Sequence, residues 1–118
     1  MNKYGKDIKW FEFPSHFAFH YANSWEEGDK IKIFGCINTP MECDRLDEFG
    51  DKFYRCFYDK IPKSKIIKIE LDIVTGESSL TVIDDRYAVD FPKISHDLTG
   101  YKSQFAYMPY LHNSIPDH

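Results

Sequence analysis

Period-two alternation of apolar and polar side chains runs through most of this chain and predicts a sheet. Lys65 to Ile73 alternates most cleanly: Ile67, Ile69, Leu71 and Ile73 face one way, and Ile66, Lys68, Glu70 and Asp72 the other. Thr75-Gly76-Glu77 is a turn, and Ser78 to Ile83 returns with Leu80 and Val82 inward. Two such runs around a Gly turn read as a hairpin. Lys30 to Ile37 places Ile31, Ile33 and Ile37 on one face and Lys30, Lys32, Phe34 and Cys36 on the other. The turn Glu26-Glu27-Gly28-Asp29 joins it to a strand over Phe17 to Ala22, with Gly28 available for a positive φ. On that strand Phe17, Phe19 and Tyr21 line one face, and Ala18, His20 and Ala22 the other.

The pattern changes between the hairpins. Leu46, Phe49, Phe53 and Phe57 recur at three- and four-residue steps, which predicts an amphipathic helix over Asp44 to Tyr58. Asp44 is its candidate cap. Beyond the second hairpin, Ala88 to Ile94 is extended around Pro92, Asp97 to Lys102 is a turn, and Gln104 to Tyr110 is a final aromatic strand. The expected fold class is all-β: four sequential antiparallel strands forming one propeller blade, the first strand of the next, and a helical insert.

Composition narrows the choice of function. Ten Phe and eight Tyr in 118 residues supply material for a core and argue against a disordered tail. The formal charge of −4, without a basic stripe, argues against nucleic acid as a partner. No apolar run reaches the roughly 20 residues of a membrane-spanning helix. Met1 to Asp7 lacks the apolar core of a signal peptide and is too short and too acidic for a transit peptide. Three cysteines, Cys36, Cys43 and Cys56, lack a C-x-x-C spacing, which argues against a disulfide framework and a zinc knuckle. They read as reduced thiols of an intracellular protein, cytoplasmic or plastid, with Cys36 and Cys56 packed inside.

His20 is the candidate with chemistry, because the two small neighbours on its face leave the imidazole approachable. A single strand histidine is more often a satisfied structural residue. His16, four residues earlier, would lie about 13 Å away along a strand and is discarded as a co-ligand. Asp90 by itself reads equally as a turn acid ahead of Pro92. Asn23, Trp25 and Glu26 read as turn-holding residues, and His96 as a surface residue.

Two stretches taken together resemble the carotenoid cleavage oxygenase family. Phe19-His20-Tyr21-Ala22-Asn23-Ser24-Trp25-Glu26-Glu27 is similar to its F-H-x-x-N-A-W-E-E signature. Asp90-Phe91-Pro92-Lys93-Ile94, followed by Gly100-Tyr101-Lys102-Ser103-Gln104-Phe105-Ala106-Tyr107, is similar to its (D/E)-F-P-R-I-N…G-R-K-x-R-Y-x-Y segment. The resemblance covers Ile8 to Tyr107. It implies a seven-bladed β-propeller carrying Fe(2+) on four histidines, with 1–118 a fragment of that domain. It implies oxidative cleavage of a conjugated C=C bond, with a carotenoid or apocarotenoid and dioxygen as substrates and peripheral membrane contact of the longer protein. Carried over, His20 matches one iron ligand and Asp90 the acid that orients it. Ser24 stands for the usual Ala, and Tyr101 and Gln104 for basic residues. The other three ligand histidines have no counterpart here, so the chain alone is expected to be inactive. The alternatives are a truncated β-sheet remnant that binds no iron and, less favoured, retinoid ester isomerisation on the same scaffold.

Overall fold

The computed structural model describes residues 8–38 and 64–110. The helix expected over Asp44 to Tyr58, together with Cys43, Cys56, His112 and His118, lies outside the described residues.

The described residues form a four-stranded antiparallel sheet in sequence order: β1 (Tyr21–Glu27), β2 (Lys30–Ile37), β3 (Lys65–Asp72) and β4 (Ser78–Asp84). This is the up-and-down order of a propeller blade. The alternation sets the register. Ile33 pairs with Ile69 and Gly35 with Ile67, so the apolar sets share one face. Ile37, Ile67 and Ile69 are buried there, with Phe13, Ala18, Ile33, Leu71 and Leu80 packed around them. On the opposite face Lys32 pairs across to Glu70 and also meets Glu27, while Lys68 reaches Glu70 at 3.4 Å. These are solvated ion pairs, each worth about 0–1 kcal/mol.

The turns follow from their residues. Glu27 pairs with Lys30, leaving Gly28 and Asp29 as a two-residue loop. Gly28 has φ 62° and Asp29 a negative φ, the arrangement of a type II′ turn. In the second hairpin the Asp72 carboxylate accepts the Val74 and Thr75 amides at 3.0 and 2.8 Å. Those bonds hold its carboxyl below the usual carboxylate range.

Four expectations need correction. The first strand runs from Tyr21 to Glu27, so Asn23 to Glu27 is strand and not turn. Phe17 to His20 is tied to β2 only by the reciprocal Phe17–Asn38 bridge and by Cys36 N–H to the His20 carbonyl at 3.3 Å. The cause is a bulge: Tyr21 pairs with Gly35 and Asn23 with Phe34, which leaves Ala22 as an extra residue. Second, Gln104 to Tyr110 is not a continuous strand. It makes two bridges, Lys93–Tyr107 and Val89–Tyr110. Pro92 and Pro109 bring no amide hydrogen to that ladder, which interrupts it. Third, Val82 is 44 % exposed, because β4 is the outer strand and a second bulge at Ile83 turns its end. Fourth, Phe91 departs from the extended backbone expected ahead of a proline; its φ is +52°. No helix among the described residues is long and apolar enough to cross a membrane.

Candidate metal-ligand site

The site is built where the segment entering β1 passes the end of β2. Gly35 permits that approach. A Cβ there would lie 2.7 Å from Tyr21 Cδ1 and 3.0 Å from Tyr21 Cα. Only glycine therefore lets the His20–Tyr21 backbone lie against β2. Ala18 turns inward to the core cluster, while Phe17, Phe19 and Tyr21 remain about half exposed.

The His20 ring meets Asp90, with Nδ1 and Oδ1 3.0 Å apart. A carboxylate only accepts, so Nδ1 carries the hydrogen and donates. In the neutral ring the lone pair is then on Nε2. The His20 side chain is 42 % accessible and that of Asp90 is 16 %, so the acid is the sheltered partner. Asp90 Oδ1 also accepts the Phe91 amide at 2.8 Å. The Phe91 ring packs on the imidazole at 4.6 Å between centroids, and Phe19 flanks it at 6.4 Å.

Phe91 is the only non-glycine residue with positive φ among the described residues. That conformation costs a bulky L-residue about 1–2 kcal/mol. Phe91 is 56 % exposed, so burial of its ring offsets little of that cost.

Two side-chain clamps hold distant backbone, Ser64 the Asp90 segment and Asn23 the loop that follows it, and no local sequence pattern announces either. The buried Ser64 hydroxyl donates to the Val89 carbonyl and accepts the Val89 amide at 2.8 Å, holding both backbone groups one residue before Asp90. Asn23, 9 % exposed, donates to the carbonyls of Leu98 at 3.2 Å and Tyr101 at 2.8 Å. It also accepts the Gly100 amide at 3.0 Å. Asn23 thus holds a loop far along the chain, not its own turn. A buried polar residue in a strand calls for such partners, but nothing local says where they come from. Trp25 sits in mid-strand opposite Lys32, and its indole nitrogen is buried without a hydrogen-bond partner among the described residues.

Beneath the pair, Cys36 is buried and its Sγ lies 3.6 Å from Met108 Sδ. Burial first, then the nearby Asp90 charge, pushes its thiol up to about 11. A thiol so far from ionisation is an inert packing group. His16 gives its Nδ1 to the Pro14 carbonyl at 2.8 Å, and His96 lies exposed in a short 3-10 turn, His96–Leu98. Among the described residues no three His, Cys, Asp or Glu side chains gather to hold a metal. The arrangement offers one oriented imidazole. Such an imidazole fits one corner of a metal site.

Comparison with known proteins assigns the class. The sequence matches the family described as retinal pigment epithelial membrane protein (RPE65) over residues 1–117. The chain belongs to this carotenoid cleavage oxygenase family. It is 32 % identical over 116 residues to carotenoid 9,10(9',10')-cleavage dioxygenase of Crocus sativus, covering 96 % of this chain and 20 % of that protein. With the Pisum sativum dioxygenase 1 of the same name it is 33 % identical over 118 residues, covering 91 % of this chain and 19 % of that one. The fold overlays on cobalt-substituted Synechocystis apocarotenoid oxygenase with a TM-score of 0.76 at 22 % identity, over 92 % of this chain and 22 % of that one. The chain therefore spans about a fifth of the length of the curated relatives it matches.

Proposed function

We propose that this chain is one blade's worth of a non-haem iron oxygenase acting on carotenoids or apocarotenoids, and that His20 is one of its metal ligands. The observation that carries the reading is the His20–Asp90 pair at 3.0 Å. Ligating histidines commonly give their second ring nitrogen to a carboxylate, which sets the tautomer and the ring direction. Asp90 has that role: it holds the hydrogen on Nδ1 and leaves Nε2 as the donor atom. Phe19 and Phe91 supply an apolar rim beside the ring, suited to a polyene chain and poor in competing ligands. Iron bound at Nε2 and three further histidines would supply dioxygen activation for cleavage of a conjugated double bond. This chain contributes one ligand to that set, so activity belongs to a longer protein.

The test is to read the coding sequence on both sides for three further strand-borne histidines, and to measure iron in the longer product with and without His20→Ala. Retention of iron by that variant would reject the ligand assignment. The second reading is a β-sheet remnant that binds no iron. Stop codons on both sides would favour it.

A further inference from the structure

We infer that Phe91 is a positioning residue: its left-handed backbone aims the Asp90 carboxylate at His20, and its ring packs on the imidazole that the carboxylate orients. The inference deepens the reading above, on which its value to a metal rests, but it concerns the His20–Asp90 geometry itself.

Three observations meet at this residue. Its φ of +52° is the one positive value among the described non-glycine residues, and it falls on a bulky side chain directly ahead of the buried Pro92. Unfavourable backbone of this kind persists only where the surroundings over-determine it, and it concentrates at functional sites. Second, the Phe91 amide donates to Asp90 Oδ1 at 2.8 Å, the same oxygen that receives His20 Nδ1 at 3.0 Å. One backbone turn thereby fixes the carboxylate rotamer and presents it to the ring. Third, the Phe91 ring lies 4.6 Å from the imidazole centroid, tilted by 35°. The side chain is half exposed, so packing in a core does not account for the strain. Contact with His20 and the locked carboxylate do.

Nuclear magnetic resonance of the ¹⁵N-labelled full chain tests this directly, since two-bond correlations report which His20 nitrogen carries the hydrogen. Spectra are recorded at about pH 8.5. Wild type is expected to show the Nδ1–H form alone. Phe91→Val, a β-branched residue unsuited to positive φ, should lose that single-tautomer pattern while the β2–β3 amide signals persist. Phe91→Gly accepts the turn without strain and should keep the Nδ1–H form while losing the ring-current shift on the imidazole carbons. A folded Phe91→Val that keeps the wild-type tautomer overturns the inference, as does a mixed tautomer in wild type. Should Phe91→Val not fold, the urea midpoints of Phe91→Gly and Phe91→Ala decide. A more stable glycine variant supports the strained turn, and a more stable alanine variant overturns it. An intact Nδ1–H tautomer in a longer protein that binds no iron would count against the metal reading and leave this inference standing.

Discussion

His20 and Asp90 stand 70 residues apart in sequence, and their side chains meet at 3.0 Å. The link joins the entry to the first strand with the segment that follows the fourth, so it closes the blade as well as orienting the ring. Its two partners are unequal in shelter: the acid is largely covered and the imidazole half open. That asymmetry suits the metal-ligand role proposed for His20.

Replacement of the acid separates orientation from folding. Asp90→Asn keeps an acceptor oxygen and the volume of the side chain but removes the charge that favours the Nδ1–H tautomer. Placed in an active full-length relative, it should weaken iron binding or activity by roughly 10–100-fold. Elemental iron analysis alongside circular dichroism measures both quantities. Unchanged iron and unchanged turnover would show that the carboxylate does not serve the ring.

Gly35→Ala should destabilise the chain by about 1–3 kcal/mol, the usual cost of overpacking. The added Cβ would meet Tyr21 at both Cδ1 and Cα, the second of which is backbone and gives way only if the strand moves. The urea midpoint reads the stability. A shift in the His20 signals should accompany it, because the displaced backbone carries that residue. An alanine variant as stable as wild type would mean that the close approach is dispensable.

Cys36 makes a pH prediction with a definite sign. Its folded value is raised from 9.0 to about 11, first by burial and then by Asp90. The protonated thiol is therefore favoured by folding, and that stabilisation is complete below pH 9. Between about 9 and 11 the unfolded thiol ionises first, so stability should fall as pH rises through the window. Cys36→Ala removes the group, and the difference between wild-type and variant unfolding curves should narrow steadily over that range. A difference that stays constant would place the thiol in water.

The strand pairing was legible because alternation in Lys30 to Ile37 and Lys65 to Ile73 admits one register that buries Ile33, Ile37, Ile67 and Ile69 together. The first strand was misplaced for a physical reason. Phe17 to Tyr21 has strong β composition, yet the bulge at Ala22 shifts regular pairing toward Glu27. Gly35, an isolated glycine inside a strand pattern, was the available signal for a close backbone approach. His20 stood out by the small residues beside it and Asp90 through family resemblance; spacing alone gives no reason for residues 70 apart to meet. The Phe91 turn was illegible because the proline rule points the other way, and tertiary contacts override it. Asn23 looked like a turn residue, since short polar side chains favour turns, and only the folded chain shows the distant backbone that it and Ser64 hold.

The two clamps should differ in what they disturb. Ser64 holds the amide and the carbonyl of Val89, both ends of one bond pair, in a buried setting. Ser64→Ala leaves two buried backbone groups unsatisfied, each costing about 1–3 kcal/mol. The next residue is Asp90, so loosening Val89 should also disturb the carboxylate and weaken its bond to His20. Asn23→Ala removes three bonds to the loop at Leu98, Gly100 and Tyr101, farther along the chain from Asp90. Its cost in stability should be of the same order, yet the His20 tautomer should survive. Hydrogen exchange locates the damage. Ser64→Ala should speed exchange at Val89 and Phe91, whose amides bond to Ser64 and Asp90. Asn23→Ala should speed it at Gly100 and leave Val89 protected. If Asn23→Ala frees the His20 ring as fully as Ser64→Ala does, the loop and the acid form one cooperative unit, and the separate roles assigned to the two clamps are wrong.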